Sequence, residues 1–229
     1  GANIGTTITA WIVSMSQLGD AFEVMEPIFY APLIIGIGSL LIIFSMKQRK
    51  KLIGEILVGL GLLFIGLDFM SSSIALYTDA PIFSQAFALL GSNPILGMIV
   101  GFVVTTLLQS SSASVGILQT LALNGIVTTN AAIYITLGQN IGSCTTALIS
   151  SIGGSRTAKR AAVIHLTFNI IGSIIFGVVG FFVFTFNPAI AGSEINAVQI
   201  SIFHTVFNLT NTIILFPFAN QLVKISGLV

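Results

Sequence analysis

The sequence predicts an all-α polytopic membrane protein built from inverted-topology repeats, with a re-entrant hairpin and broken transmembrane helices. Three observations carry this expectation. Apolar residues make up 55% of the 229 residues and charged residues only 7%, with a mean hydropathy of +1.04. A soluble domain usually carries about 25% charged residues, so this chain cannot cover a water-facing surface, and its outer solvent must be lipid. The eight basic residues cluster between apolar runs. Finally, a ten-residue polar motif occurs twice.

Charge-free apolar runs mark the spans, since a helix needs roughly 20 residues to cross ~30 Å of hydrocarbon. Residues 1–15 read as the tail of one span. Full spans are predicted over 28–46, 52–70, 132–152, 161–184 and 200–218. The stretch 94–123 differs, because two apolar arms flank the polar centre Gln109-Ser110-Ser111-Ser112. At 1.5 Å per residue the arms reach only about 22 and 15 Å, too short to cross singly. A re-entrant hairpin is therefore expected.

Basic residues test this layout. Lys47, Arg49, Lys50 and Lys51 precede the second full span; Arg156, Lys159 and Arg160 precede the fourth; Lys224 follows the last. With the first cluster cytoplasmic, as the positive-inside rule requires, all eight fall on that side only if the hairpin does not cross. Asp20, Glu23, Glu26, Asp79 and Glu194 then fall on the other side. The net charge of +1 carries no signal for nucleic acid, and no such partner is expected. Cys144 is the single cysteine, so no intrachain disulfide can form.

The repeated motif is Gly1-Ala2-Asn3-Ile4-Gly5-Thr6-Thr7-Ile8-Thr9-Ala10 against Gly138-Gln139-Asn140-Ile141-Gly142-Ser143-Cys144-Thr145-Thr146-Ala147, at an offset of 137 residues. In the layout above the first copy runs outward and the second inward. That is an inverted-topology repeat, a common plan of secondary transporters. The chain divides into 1–50, the C-terminal part of a first repeat; 51–186, a second repeat; and 187–229, a terminal transmembrane helix. By the same offset the counterpart of Gln109 lies upstream of Gly1, so a missing half-repeat is expected to complete the first unit.

Two polar centres are expected to form one site. Ser110, Ser111 and Ser112 meet free backbone N–H groups at a helix N-terminus, whose partial positive charge favours an anion. The alternative is a serine-rich cap that satisfies only its own backbone. The segment 138–146 interrupts its span in a similar way. Its glycines permit unwinding, and freed carbonyls with Asn140, Ser143, Thr145 and Thr146 oxygens are hard ligands suited to sodium. No Lys or Arg lies near either centre, so bound cations are expected to supply the countercharge for an anion. The motifs His165-x-x-Phe168-Asn169 and His204-x-x-Phe207-Asn208 echo one another and are read as helix–helix hydrogen bonding inside protein. Glu55 and Asp68 are read as interfacial or pairing groups, and Gly54, Gly59, Gly61 and Gly66 as packing positions.

Together, Gln109-Ser110-Ser111-Ser112, Gly138-x-Asn140-Ile141-Gly142 and Gly1-Ala2-Asn3-Ile4-Gly5-Thr6-Thr7 resemble the type II sodium/phosphate cotransporter family, over nearly the whole chain. The resemblance implies sodium-coupled symport of inorganic phosphate across the plasma membrane, a bacterial inner membrane, with sodium as the coupling ion and no cofactor. It makes Gln109, Ser110, Ser111, Ser112, Asn140, Ser143, Thr145 and Thr146 candidate contacts, joined by Asn3, Thr6 and Thr7. Gln109, Ser112, Asn140 and Thr145 are the candidate sodium ligands. The chain departs from the pattern in lacking the first QSSS and in carrying Cys144 where Thr7 keeps a hydroxyl. A phosphate channel or exporter is the rival reading. A hydrolase using Ser110 and His165 would need one activated serine, and three equivalent ones are present, so no enzyme is expected.

Overall fold

In a computed structural model of the chain, the described residues are 2–15, 27–75, 89–90 and 93–227. Gly1, Asp20, Glu23, Glu26 and Asp79, used above, lie outside them. The helices are α1 (Ala2–Met15), α2 (Pro27–Phe44), α3 (Gln48–Ala75), α4 (Pro94–Leu108), α5 (Ser111–Leu123) and α6 (Thr129–Gly142). They continue as α7 (Cys144–Ser151), α8 (Arg156–Phe186), α9 (Pro188–Ala191), α10 (Ala197–Leu215) and α11 (Ala219–Ser226). Among the described residues, the extended pairing is limited to an isolated bridge between Thr128 and Glu194.

Two segments, Arg156–Phe186 and Ala197–Ser226, are long and apolar enough to cross a membrane. Only 17% and 28% of their apolar stretches are buried, so neither is the core helix of a soluble protein. Ile174, Val178, Phe181 and Phe182 of α8 point outward, as do Val206, Leu209 and Ile213 of α10. Polar residues are instead inside: Asn169, Ser173, Ser201, His204, Asn208 and Asn211 are all buried. Apolar outside and polar inside is the arrangement that lipid imposes. The chain is an all-helical membrane protein.

Helix boundaries shift from the expectation at the charged ends. Arg49, Lys50 and Lys51 lie in the first turn of α3, and Arg156, Lys159 and Arg160 on α8, rather than in loops. Lys and Arg are good helix formers whose long stems let the charge reach the interface. Several helix starts carry a side-chain cap. The Ser155 hydroxyl accepts from the Ala158 N–H, and Asn196 with Gln199 forms a reciprocal capping box on α10.

Glycines set which helices touch. On α2 and α3, Gly38 faces the Gly54 carbonyl while Gly61 faces Ile35 and the Ala31 carbonyl, so the pair is antiparallel. Gly54 and Gly61 thus pack as expected, whereas Gly59 and Gly66 face open space. On α4 and α6, Gly97 meets Tyr134, Gly101 meets the Ile135 carbonyl, Gly138 meets the Met98 carbonyl, and Gly142 meets Phe102 and Thr105. Register rises together along both helices, so α4 and α6 run parallel at backbone contact, a small-residue seam.

This packing corrects one expectation. Segment 138–146 is not unwound. The helix continues through Gly142, and the interruption is the single residue Ser143, whose N–H still bonds the Gln139 carbonyl. Gly138 and Gly142 are small because α4 lies against them.

Candidate functional site

Between α4 and α5 the chain turns at Gln109 and Ser110. Gln109 has φ 50°, the one positive φ at a non-glycine among the described residues, and its N–H bonds the Thr105 carbonyl. Ser110 is the N-cap of α5, its hydroxyl accepting from the Ala113 N–H at 3.2 Å. The arms close where the Thr105 hydroxyl donates to Ser114 Oγ at 2.7 Å. Beyond this turn, the first N–H groups of α5 have no partner within the helix.

Ser111, in that first turn, lines a cavity of about 100 Å³. A water needs roughly 10–15 Å³ of such space, so the cavity has room for several waters or a small ion with its contacts. Asn3 and Thr6 of α1 line it together with Gln139, Asn140 and Ser143 of the second decuplet. Val115, His165 and His204 complete the lining, and no charged side chain is among these residues.

The two decuplets therefore reach one cavity, and their asparagines are held in matching ways. Asn3 Nδ2 donates to Asn169 Oδ1 at 2.8 Å, while Asn208 Nδ2 donates to Asn140 Oδ1 at 3.3 Å. Asn169 and Asn208 are the asparagines of the two His-x-x-Phe-Asn motifs. Asn3 Oδ1 also lies 2.8 Å from His165 Nε2, and Asn140 Nδ2 donates to the Thr136 carbonyl at 2.8 Å. Ser143 Oγ donates to the Asn140 carbonyl at 2.7 Å. Cys144, in the position of Thr7, is fully buried and accepts from Asn169 Nδ2 at 3.1 Å. Gln119 anchors a neighbouring layer, Nε2 donating to the Ala10 and Ala197 carbonyls and to Ser201 Oγ.

Asn3, Thr6, Ser111, Asn140 and Ser143 are thus brought together. The other candidates are not in the lining. Gln109 is exposed at the tip, Ser110 is occupied as a cap, and Ser112 is half-buried in the first turn of α5. Thr145 shares a 3.0 Å hydrogen bond with Thr106, Thr146 is exposed, and Thr7 donates to the Ile4 carbonyl. Of the candidate sodium ligands, Asn140 is the one in the lining. Sequence reasoning missed Gln139, and it read His165 and His204 as helix–helix hydrogen-bonding groups, a role His165 fills through Asn3. The His-x-x-Phe-Asn echo was their signal: the asparagine of each motif is structural, while the histidine a turn earlier faces the cavity.

An apolar helical exterior around an uncharged polar cavity marks a helical membrane protein with a polar interior. Sequence comparison places it further. The profile of the family described as Na+/Pi-cotransporter matches residues 1–72 and 79–211, and the chain belongs to that family. It is 26% identical to the "Uncharacterized protein YqeW" of Bacillus subtilis over 96% of this chain and 67% of that one. It is 25% identical to the "Putative inorganic phosphate export protein YjbB" of Escherichia coli over 98% of this chain and 39% of that one. Human "Sodium-dependent phosphate transport protein 2B" is 35% identical over 51% of this chain and 18% of its own length. The chain thus spans about two thirds of YqeW and well under half of the others. No solved structure matches it.

Proposed function

We propose that this chain forms the core of a sodium-coupled symporter of inorganic phosphate, working as a multi-pass protein of a bacterial inner membrane. The observation that carries it is the single uncharged cavity shared by Asn3 and Thr6, Asn140 and Ser143, and Ser111 at a helix N-terminus. Ser111 and the free N–H groups of α5 would donate to the anion. With no Lys or Arg in the lining, a bound anion gains strongly from a cation beside it. Opposite unit charges ~4 Å apart attract by about 4 kcal/mol at an effective dielectric near 20. Sodium on Asn140 and neighbouring oxygens would provide that, which makes binding of the two ions interdependent. Gln109, Ser110, Ser112, Thr145, Thr146 and Thr7 would join through movement of the turn.

Chain directions support the inverted repeat. Gln119 ties Ala10 to Ala197 and Ser201, while Asn3 sits near His204, so α1 runs against α10. Asn140 meets Asn208, and Ala131 and Ile135 cluster with Ile195 and Ile200, so α6 runs with α10. The two decuplets then point in opposite directions. The parallel seam of α4 and α6 supports the re-entrant reading, because α5 must carry the chain back to the level where α4 began.

The test is radiolabelled phosphate flux in proteoliposomes holding the complete protein. Uptake should saturate with phosphate and follow an imposed inward sodium gradient. Flux that is linear in phosphate and indifferent to sodium would mean a channel. Net efflux under an outward phosphate gradient without sodium coupling would favour export, as the name of YjbB suggests.

A further inference from the structure

α4 and α8 each pack on α6 and leave a slot between them of about 440 Å³. Pro94, Ile95 and Met98 form its α4 wall, and Ile174, Val178 and Phe181 its α8 wall. The two polar side chains at its floor are buried, turned away and satisfied. The Tyr134 hydroxyl donates to the Gly177 carbonyl at 2.9 Å, and Ser173 Oγ donates to the Leu137 carbonyl at 3.2 Å. The surface that remains is apolar, which excludes an ion or a polar solute. Towards the Glu194 end the slot opens into a second hollow of about 240 Å³ that shares Pro94, Tyr134 and Phe181. There the lining turns polar, with Asn130 and Thr185 beside Pro188. Apolar depth under a polar mouth is the profile of an amphiphile.

Length identifies the occupant. The slot follows α8 from Ser173 to Phe182, about 14 Å at 1.5 Å per residue. One leaflet contributes half of a ~30 Å hydrocarbon core, about 15 Å. A partner's transmembrane helix would need a seat across both leaflets, and this one ends halfway, where Ser173 closes on α6. We propose that the slot seats one acyl chain of a phospholipid from the leaflet at the Glu194 end, with its ester and headgroup at the mouth formed by Asn130 and Thr185. The chain meets walls on three sides where an open helix face offers one, so it gains contacts that ordinary boundary lipid lacks. α4 leads to Ser111 and α8 carries His165, so the lipid is wedged between two helices that connect to the central cavity.

Photolabelling of the complete protein in phosphatidylethanolamine–phosphatidylglycerol vesicles tests this. A trace of phosphatidylglycerol carries a diazirine either near its ester or near the chain end, and the adducts are mapped by mass spectrometry. Labelling in the slot should exceed that at any other apolar exterior position, such as Val206 or Ile213, by about tenfold, a preference of about 1.4 kcal/mol. The ester-side probe should mark Phe181 and Phe182, and the chain-end probe Met98 and Ile174. Val178→Trp, which fills the slot from an exposed position, should bring slot labelling down to the level of those other positions and leave theirs unchanged. Slot labelling no stronger than elsewhere in the wild type would make this ordinary boundary lipid. An unlabelled slot beside a labelled α10 would mean that protein covers it, and either result overturns the proposal. So does the reverse depth order, which would bring the chain in from the basic end.

Discussion

Ser110, Ser111 and Ser112 are chemically identical, yet the fold gives them different work. Ser110 is consumed as an N-cap, Ser111 lines the cavity and Ser112 does not. Ser111→Ala should therefore weaken phosphate affinity by roughly two- to twelvefold, the loss of about 0.5–1.5 kcal/mol for one neutral hydrogen bond. Asp68→Asn, on an exposed position of α3, should change it less. Phosphate titration of purified variants decides: equal losses, or a larger one at Asp68, would move the site away from α5. Gln109 poses a separate question, because its left-handed backbone strains any residue except glycine. Gln109→Gly should leave membrane expression and melting temperature unchanged or slightly raised. If phosphate transport also survives, the side chain serves only the turn. The motifs were legible because amides and hydroxyls stand out in apolar sequence. Which hydroxyl faces the cavity was not, since that depends on helix azimuth and on which group the cap uses first.

Among the elements, α4 and α6 show where composition misleads. Glycine near Asn and Ser reads as a place to unwind, but it equally allows backbones to meet, and only the partner helix distinguishes the two. Gly101 and Gly138 abut the carbonyls of Ile135 and Met98, which no rotamer change can relieve. Gly101→Ala or Gly138→Ala should destabilise the protein by about 1–3 kcal/mol or more. Gly59→Ala, with open space at its Cβ, should be near neutral or mildly stabilising through helix propensity. Thermal unfolding in detergent would show the contrast; a Gly138→Ala protein as stable as the Gly59→Ala one would mean the seam is looser than described. The helices themselves were legible to within about five residues, and two of the expected spans, Arg156–Phe186 and Ala197–Ser226, are long and apolar enough to cross a bilayer. Their charged ends were not, because a flexible Lys or Arg can end a helix or ride on its first turn.

At the scale of the molecule, the question is which ends share a side. The Thr129 N–H donates to the Ser193 carbonyl, and Thr128 bridges to Glu194, so the loop before α6 and the loop before α10 lie at one end. Arg160 Nη2 donates to the Val223 carbonyl and Nε to Ser226 Oγ, so the basic start of α8 and the last helix meet at another. α8, with 31 residues, is long enough to separate these ends by more than a hydrocarbon core, at about 45 Å. α4 is not: its 15 residues reach only about 22 Å, and its start is level with that of α6. The chain should thus enter and leave the α4–α5 hairpin on the Glu194 side, opposite the basic residues. Cys144 is fully buried, which leaves a quiet background for labelling. In intact cells, an impermeant maleimide should modify Asn124→Cys and Gly192→Cys. Thr157→Cys and Gln221→Cys should react only after permeabilisation, as the positive-inside rule requires. Labelling of Asn124→Cys and Gly192→Cys only after permeabilisation, with Thr157→Cys and Gln221→Cys reactive in intact cells, would make the hairpin a crossing. It would also end the inverted relation between the two decuplets, because the second would then run outward like the first.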